Sequence, residues 1–495
     1  MWKFGAATSP IILLLCSCTV GPTYEPPAVT APAAYASPHS PTSAFTDISS
    51  WWAAFDDPML DSLIARALAD NLDLQQAAMR VRQARAQETA ARRSGGPQIN
   101  ATTQSGYTKL SENALPSSLA GLTGGNGEQS GNSGGLGLPG EGFANFQLGF
   151  DASWEVDLFG GQRRANEAAH ARTLSAIWTR RDAEVTMVAE VANTYQQYRM
   201  LQRRIAVADA MIAADRALLD FVRVRTDKGL VTTLDERRQE SDVAQQIAQR
   251  EDLAAQAQAL VHALSILLGL APGALSTELS AAPQAAPVAM EVAAGLPSEL
   301  LLRRPDIRAA ERDLAAATAD IGVATADLYP KFSLTGALQL ASRSLSTLIQ
   351  ADSLQANGAG RLSLPLLGRG EKKATIHVRE AQADEALLAY QGKVLGALRD
   401  VEDALTRLDA DRKRAMHLRL SATAAQDSVD TAEVRYRNGL TSYLDVLEAR
   451  QALFSARDAL AQADAHAAQD VVALYKALGG GWDEGRMTEK EKPHG

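Results

Sequence analysis

The chain of 495 residues has little of what most folds use to brace themselves or to do chemistry: two cysteines, seven histidines, 5% aromatic residues and no excess of basic charge. Two cysteines permit at most one disulfide, so no disulfide framework supports the fold. Scarce aromatics on an alanine-rich background argue against several compact cores filled by large side chains. They favour long helices whose small residues let backbones approach closely. A formal net charge of −9 disfavours nucleic acid as a partner. The histidines are scattered, with no HExxH and no pair at metal-ligand spacing on one helix, and no serine lies in a GxSxG elbow. Neither an enzyme nor a metal site is therefore expected. Beyond the first residues no apolar run approaches about eighteen residues, so no transmembrane helix is expected.

What is present begins with an export leader over residues 1–17: Lys3, an apolar run from Ile11 to Leu15, then Leu15-Cys16-Ser17-Cys18. Leucine two residues before a small residue and then cysteine is the pattern of a bacterial lipoprotein cleavage site. On that reading Cys18 is the first mature residue and carries a covalent lipid, the only attached group expected. Cys16 leaves with the leader, and the mature chain keeps one cysteine, too few for an internal disulfide. A plain secretory signal, with both cysteines ordinary, is the alternative. Residues 18–58, rich in proline, alanine and serine at first, are expected to form an extended tether.

The plainest pattern runs from Phe146 to Leu158. Phe146, Leu148, Phe150, Ala152, Trp154, Val156 and Leu158 alternate with Gln147, Gly149, Asp151, Ser153, Glu155 and Asp157. In a strand this gives a strip about 43 Å long with one apolar and one polar face. Such a strip suits the wall of a water-filled barrel in a membrane, with Asp151, Glu155 and Asp157 on the lumen side. A second alternation places Phe332, Leu334, Gly336, Leu338 and Leu340 opposite Lys331, Ser333, Thr335, Ala337 and Gln339. Strands are expected at about 98–108, 146–159, 331–340 and 359–365. Between the first two lies a glycine-crowded loop, Gly121 to Gly142. Its Gly135-Leu136-Gly137-Leu138-Pro139-Gly140 matches the dinucleotide fingerprint but lacks the strand before and helix after that give the motif its phosphate site.

Helical periodicity fills the rest. Helices are expected at about 59–93, 161–225 and 233–268, and again at 305–329, 370–437 and 442–478, with Gly and Pro at their ends. The two longest would span roughly 95 Å and 100 Å. The last carries a seven-residue seam, with Leu453 and Phe454, then Leu460 and Ala461, then Ala467 and Ala468, as coiled-coil contact requires. Lys228-Gly229-Leu230 and Asn438-Gly439-Leu440 make equivalent turns 210 positions apart, and Leu268-Gly269 returns as Leu478-Gly479. The chain reads as a duplication: repeat 1 over 59–270, an inter-repeat equatorial segment over 271–303, repeat 2 over 304–478, and a C-terminal tail over 479–495. Four strands cannot close a barrel, and open edges are not tolerated in lipid, so closure must come from other copies. Three chains supply twelve strands.

On these residues the chain resembles the outer-membrane efflux proteins, the TolC-like outer membrane factors, and most closely their lipoprotein branch. The likeness is carried by Cys18-Thr19-Val20-Gly21-Pro22, Asp57-Pro58-Met59-Leu60, Asn71-Leu72-Asp73-Leu74, Arg303-Arg304-Pro305-Asp306-Ile307-Arg308, Ile321-Gly322, Leu328-Tyr329-Pro330, Arg435-Tyr436-Arg437-Asn438-Gly439-Leu440 and Leu474-Tyr475-Lys476-Ala477-Leu478-Gly479. The resemblance implies an α+β membrane protein. Three copies would form a twelve-stranded outer-membrane β-barrel continuous with a periplasmic α-helical barrel, docked on a periplasmic adaptor protein and an inner-membrane pump. Function would be passive export of small molecules, drugs or toxic compounds among them, without chemistry.

The resemblance also places Gly229, Leu230, Gly439 and Leu440 at the periplasmic tip where the adaptor docks. Leu444 and Glu448, one helical turn apart on one face, with Asp445 and Tyr436, become the candidate gate. In threefold symmetry a leucine ring opposes wetting and a carboxylate ring repels itself. Gln451 stands where some relatives have Arg, which leaves Glu448 without that partner. The Tyr436 phenol is a candidate to bond across to Asp235 or Glu236. In the barrel, nine carboxylates in three copies, offset by Lys331 and Arg361, imply weak cation preference. Two other readings stay open: a lipid-anchored periplasmic coiled-coil scaffold or adaptor, which has no use for alternating strands, and an exit duct for secreted protein.

Overall fold

The computed structural model describes residues 19–28, 32, 34–37, 48–109, 142–280 and 300–483. The leader with Cys18, nearly all of the glycine-rich loop with Gly135–Gly140, residues 281–299 and the tail beyond Asp483 lie outside the described residues.

The chain packs as two compact units that do not follow the two repeats. One lies within Met1–Tyr24, Ala86–His170 and Ala315–Ala383, the other within Glu25–Arg85, Ala171–Leu314 and Asp384–Gly495. Each unit draws on both halves of the duplication: the strand Gly142–Val156 of the first repeat pairs edge to edge with the strand Lys331–Ser342 of the second, and the helices of both repeats share one buried core.

The first unit is built on one antiparallel sheet in the order β1-β2-β3-β4, with β1 Gln98–Lys109, β2 Gly142–Val156, β3 Lys331–Ser342 and β4 Leu354–Ser363. Three bounds differ from expectation by more than two residues. β2 starts at Gly142 and stops at Val156, because Leu158 N–H turns back to Val156 O (3.0 Å) and Gly160 takes a left-handed φ of +81° to open the next helix. β4 begins at Leu354, not 359, since it pairs with β3 as far as Leu340. Its Ala356, Gly358 and Gly360 have too little side chain to show alternation in the sequence.

The helix expected over 59–93, which begins in the second unit and ends in the first, is two: α1 Pro58–Asp70 and α2 Leu72–Ser94. Asn71 makes the break. Its backbone is extended, and its Oδ1 accepts from the N–H groups of Asp73 (2.9 Å) and Leu74 (3.0 Å), capping α2. Asp57 caps α1 in the same way, with Pro58 at the first helical position. The long helices are α3 Gly161–Asp227, α4 Thr233–Leu267, α5 Pro305–Ala326, α6 Arg369–Arg437 and α7 Tyr443–Ala477. Short helical turns occupy Ser276–Leu279 and Leu300–Arg303.

The expected tether is in part core. Trp51–Phe55 form a 3-10 turn whose Trp51, Trp52 and Phe55 are buried with Leu60, Leu63, Tyr195, Leu264 and Leu474. Trp51 stacks on Tyr475, ring centroids 5.1 Å apart. Nor is the start of the tail free. Gly481 N–H bonds to Ile48 O (3.0 Å), and Trp482 meets Trp178 edge-on at 5.4 Å.

The Arg304 motif fastens the second unit. Its guanidinium is bidentate to Asp306 at 3.0 and 2.9 Å, reaches Asp400 of α6 at 3.3 Å and donates to Ala477 O, at the end of α7, at 3.0 Å. One side chain thus ties the start of α5 to two other helices, and at α7 it satisfies a carbonyl left without a partner in its own helix. Burial works against the charge, but Asp306 and Asp400 hold its pKa above the usual arginine value.

Candidate functional site

Both hairpin turns close in one way. Gly229 and Gly439 have φ of +69° and +76°, Gly229 N–H bonds to Thr226 O (2.8 Å) and Gly439 N–H to Tyr436 O (3.0 Å). Leu230 and Leu440 bond back to Arg225 O and Arg435 O, each at 2.9 Å. These are Schellman ends, for which glycine is needed at the left-handed position. Leu230 and Leu440 are both exposed.

Beyond the second turn the four candidate gate residues separate. Leu444 is 48% exposed and Glu448 is also exposed, so both sit on the outer face of α7 while Tyr443, Val446 and Arg450 face inward. Asp445 acts locally. It forms a capping box with Ser442 and accepts from Thr441 Oγ1 (2.5 Å), and those hydrogen bonds hold its carboxyl below the usual range. Tyr436 is buried between Phe221 and Tyr443, ring centroids 6.1 and 6.2 Å away, with the Arg225 guanidinium 5.2 Å from its ring. Its hydroxyl has no hydrogen-bond partner among the described residues, so the expected bond to Asp235 or Glu236 is not made. Asp235 accepts from Thr232 Oγ1 and Glu236 faces Arg223 at 3.6 Å; each has a nearer partner.

Sequence reasoning missed the polar centre beneath these residues. Arg450 donates to Asp215 of α3 (2.7 Å) and to Glu433 of α6. Gln239 of α4 donates to Asp215 O (3.0 Å) and receives the Tyr443 hydroxyl, and Gln246 donates to the other Asp215 oxygen (2.5 Å). All four helices of this tip meet in one network. Burial, with Asp242 and Asp215 nearby, raises the Tyr443 phenol, which stays neutral and able to donate. A signal for Arg450 was available: it lies seven residues after Tyr443 and four after Val446, on the apolar seam.

In the other unit the strand register decides which residues share a face. Directly paired residues point the same way, and Trp154 lies opposite Leu334, Phe150 opposite Leu338, Leu148 opposite Leu340. Across β3 the pattern goes on with Phe332 opposite Leu362 and Leu340 opposite Leu354, and across β1 with Ala152 opposite Ile99. Leu148, Phe150, Trp154, Leu338, Leu354, Leu362, Ile99 and Tyr107 on this face are exposed. The opposite face carries Gln98, Asn100, Thr102, Gln104, Asp151, Ser153, Glu155, Lys331, Ser333, Gln339, Arg361 and Asn357.

Asp151 and Glu155 therefore lie on the polar face as expected from their alternation, Asp151 accepting from Asn100 (3.2 Å) and Glu155 3.8 Å from Lys331. Asp157 does not. It lies past the end of β2, where its carboxylate accepts Arg163 N–H (3.0 Å) and caps α3. Among the described residues β1 and β4 each pair on one side only, so the sheet has two open edges. No helix among them is long and apolar enough to cross a membrane, and no group of His, Cys, Asp or Glu there is arranged to hold a metal.

Comparison with known proteins finds a match to the family model described as outer membrane efflux protein, over residues 63–270 and 296–480. Outer membrane protein OprJ of Pseudomonas aeruginosa is 32% identical over 98% of this chain and 97% of its own length. The pyoverdine export outer membrane protein OpmQ of the same organism is 33% identical, with 96% of both chains covered. Among solved structures, the outer-membrane channel OprN superposes with a TM-score of 0.83 at 33% identity, covering 94% of this chain and 100% of that one.

Proposed function

The chain belongs to the outer membrane efflux protein family, and from that premise we propose that three copies of it form the outer-membrane duct of a tripartite efflux pump, passing small molecules outward by conduction. The observation that carries this reading is the sheet register: apart from Phe143 and Lys109 at the strand ends, the large apolar strand residues fall on one largely exposed face and the ionisable groups on the other. A surface of that kind is unfavourable in water and suited to lipid.

Dimensions agree. Tyr107, opposite Ala144, and Trp154 share the apolar face ten residues of β2 apart. That is about 34 Å along the strand, and about 26 Å of height at a tilt near 40°. Outer-membrane barrels carry an apolar band about 25 Å tall between aromatic girdles. Open edges cannot remain in hydrocarbon, so β4 of one copy pairs with β1 of the next and three copies close twelve strands. A soluble scaffold or adaptor would have no use for this face.

The helical hairpins supply the periplasmic tube, with exposed Leu230 and Leu440 at its tip as apolar contacts for a periplasmic adaptor fed by an inner-membrane pump. Leu444 and Glu448, exposed and one turn apart, are the ring-forming gate pair, and Cys18 is the lipid attachment point. Drugs and other toxic compounds are the proposed cargo.

Reconstitution tests the whole. The purified chain should run as a heat-modifiable trimer from outer-membrane fractions and give conducting channels in planar bilayers. A water-soluble monomer without conductance would overturn the reading.

A further inference from the structure

Arg164 breaks a local rule. It stands in the first turn of α3, which has no acidic residue, and its side chain is buried, 5% exposed. A cation there opposes the helix dipole and gives up its hydration, so its environment must offset both.

Glu167 on the same helix takes one bond, from Nη1 at 2.7 Å. The others go to the residues just after Cys18. Nε donates to Val20 O, and Nη2 donates to Gly21 O and to Thr23 Oγ1, each at 3.3 Å. Val20 N–H in turn bonds to Phe159 O at 3.1 Å.

The slot is cut to backbone thickness. Gly21, at φ +86°, lies so close to α5 that a Cβ on it would be 2.5 Å from Gly322 Cα, and a Cβ on Gly322 would be 2.7 Å from Arg164 Cγ. A Cβ on Gly160 would stand 2.7 Å from Thr19 Cγ2. Glycine at 21, 160 and 322 is what lets tether, helix start and guanidinium share this space.

We propose that Arg164 is the clamp for the amino-terminal residues of the mature chain: it seats Thr19–Thr23 in a slot floored by Gly160 and Gly322, and so fixes where the acyl group on Cys18 leaves the protein. The inference rests on the lipid-anchor reading of Cys18. Cys18 is one peptide unit, about 3.8 Å between Cα atoms, from Thr19, and Thr19 lies against Gly160, four residues past the end of β2. The anchor therefore emerges beside the strand–helix junction. A free proline-rich leash would let the lipid roam over tens of ångströms; the clamp holds lipid and strands at one level.

Hydrogen exchange on the full-length protein in detergent tests this, with intact mass measured on the same sample. In the wild-type protein the amides of Thr19–Tyr24 should exchange about tenfold more slowly than in Arg164→Ala, with Arg164→Lys between them. Thr23→Val, which removes one acceptor from the tether alone, should accelerate exchange about threefold and serves if Arg164→Ala fails to give a trimer. A Cys18→Ser chain, exported through an ordinarily cleaved leader and carrying no lipid, should keep the protection. Wild-type amides exchanging at the free rate, or an unchanged rate in Arg164→Ala or in Thr23→Val, would overturn the clamp. A wild-type mass without acyl groups would remove the anchor reading and leave the clamp standing wherever protection is seen.

Discussion

Arg450 and Asp215, 235 positions apart in the chain, share a 2.7 Å hydrogen bond between side chains that are 9% and 3% exposed. The bond joins α7 of the second repeat to α3 of the first, and Glu433 on α6 closes the far side of the guanidinium. Burial opposes the arginine's charge, but Glu433 and Asp215 hold its pKa above the ordinary value. Removing one partner of such a group leaves the others buried and unpaired, which costs far more than the intact pair contributes.

Arg450→Ala should lower the unfolding free energy by about 3–5 kcal/mol, read by denaturant titration of the helical circular dichroism signal. The double variant Arg450→Met with Asp215→Leu should cost less than the two single changes added together, because it leaves fewer stranded charges. Additive losses would show that the two side chains do not act on each other.

Leu444→Ala and Glu448→Ala should each enlarge single-channel conductance or increase antibiotic leakage into cells, since both side chains point away from the chain's own core. Asp445→Asn should behave differently. It weakens the capping box of α7 and should loosen exchange of the first turn without enlarging conductance. Unchanged conductance in both of the first two variants would remove them from the gate.

Arg304→Lys keeps the charge but not the planar fork that grips Asp306 by two bonds and reaches Ala477 O. Arg304→Ala should destabilise by about 3 kcal/mol and Arg304→Lys by about half as much, measured by denaturation. Equal losses would mean that charge alone matters here.

Asp470 carries a carboxyl pushed up to about 7 by burial and by the neighbouring carboxyl of Asp411. The folded state holds this proton where the unfolded chain has released it, so the associated stability is present in acid and declines as pH rises from about 4 to about 7. The slope should stay below about 1.4 kcal/mol per pH unit, because the group is only half-buried and solvent screens it. Asp470→Asn should flatten the profile and raise stability at pH 8 relative to wild type; an unaltered profile would discard the assignment.

Much of this architecture is legible in the amino-acid order. Alternation from Phe146 and from Phe332 marks two strands and their faces, because an exposed apolar face beside a polar one leaves a period of two in any strand. Gly and Pro mark most ends of the long helices, and the repeated Gly-Leu turns mark both hairpins. The break at Asn71 escaped, since a capping side chain inside an unbroken helical pattern leaves the periodicity intact. β4 escaped in part, because small residues carry no contrast. Asp157 looked like a lumen residue only because the alternation runs one turn past the strand it describes.

Local order alone determined that this chain makes amphipathic strands and long alanine-rich helices, since periodicity and turn chemistry act over a few neighbours. Which buried cation meets which oxygen, Arg450 the carboxylate of Asp215 or Arg164 the carbonyls of Val20 and Gly21, was decided only by tertiary structure. Those partners stand more than a hundred residues apart, and their pairing follows from desolvation at a shared interior point, a condition that no segment of sequence contains.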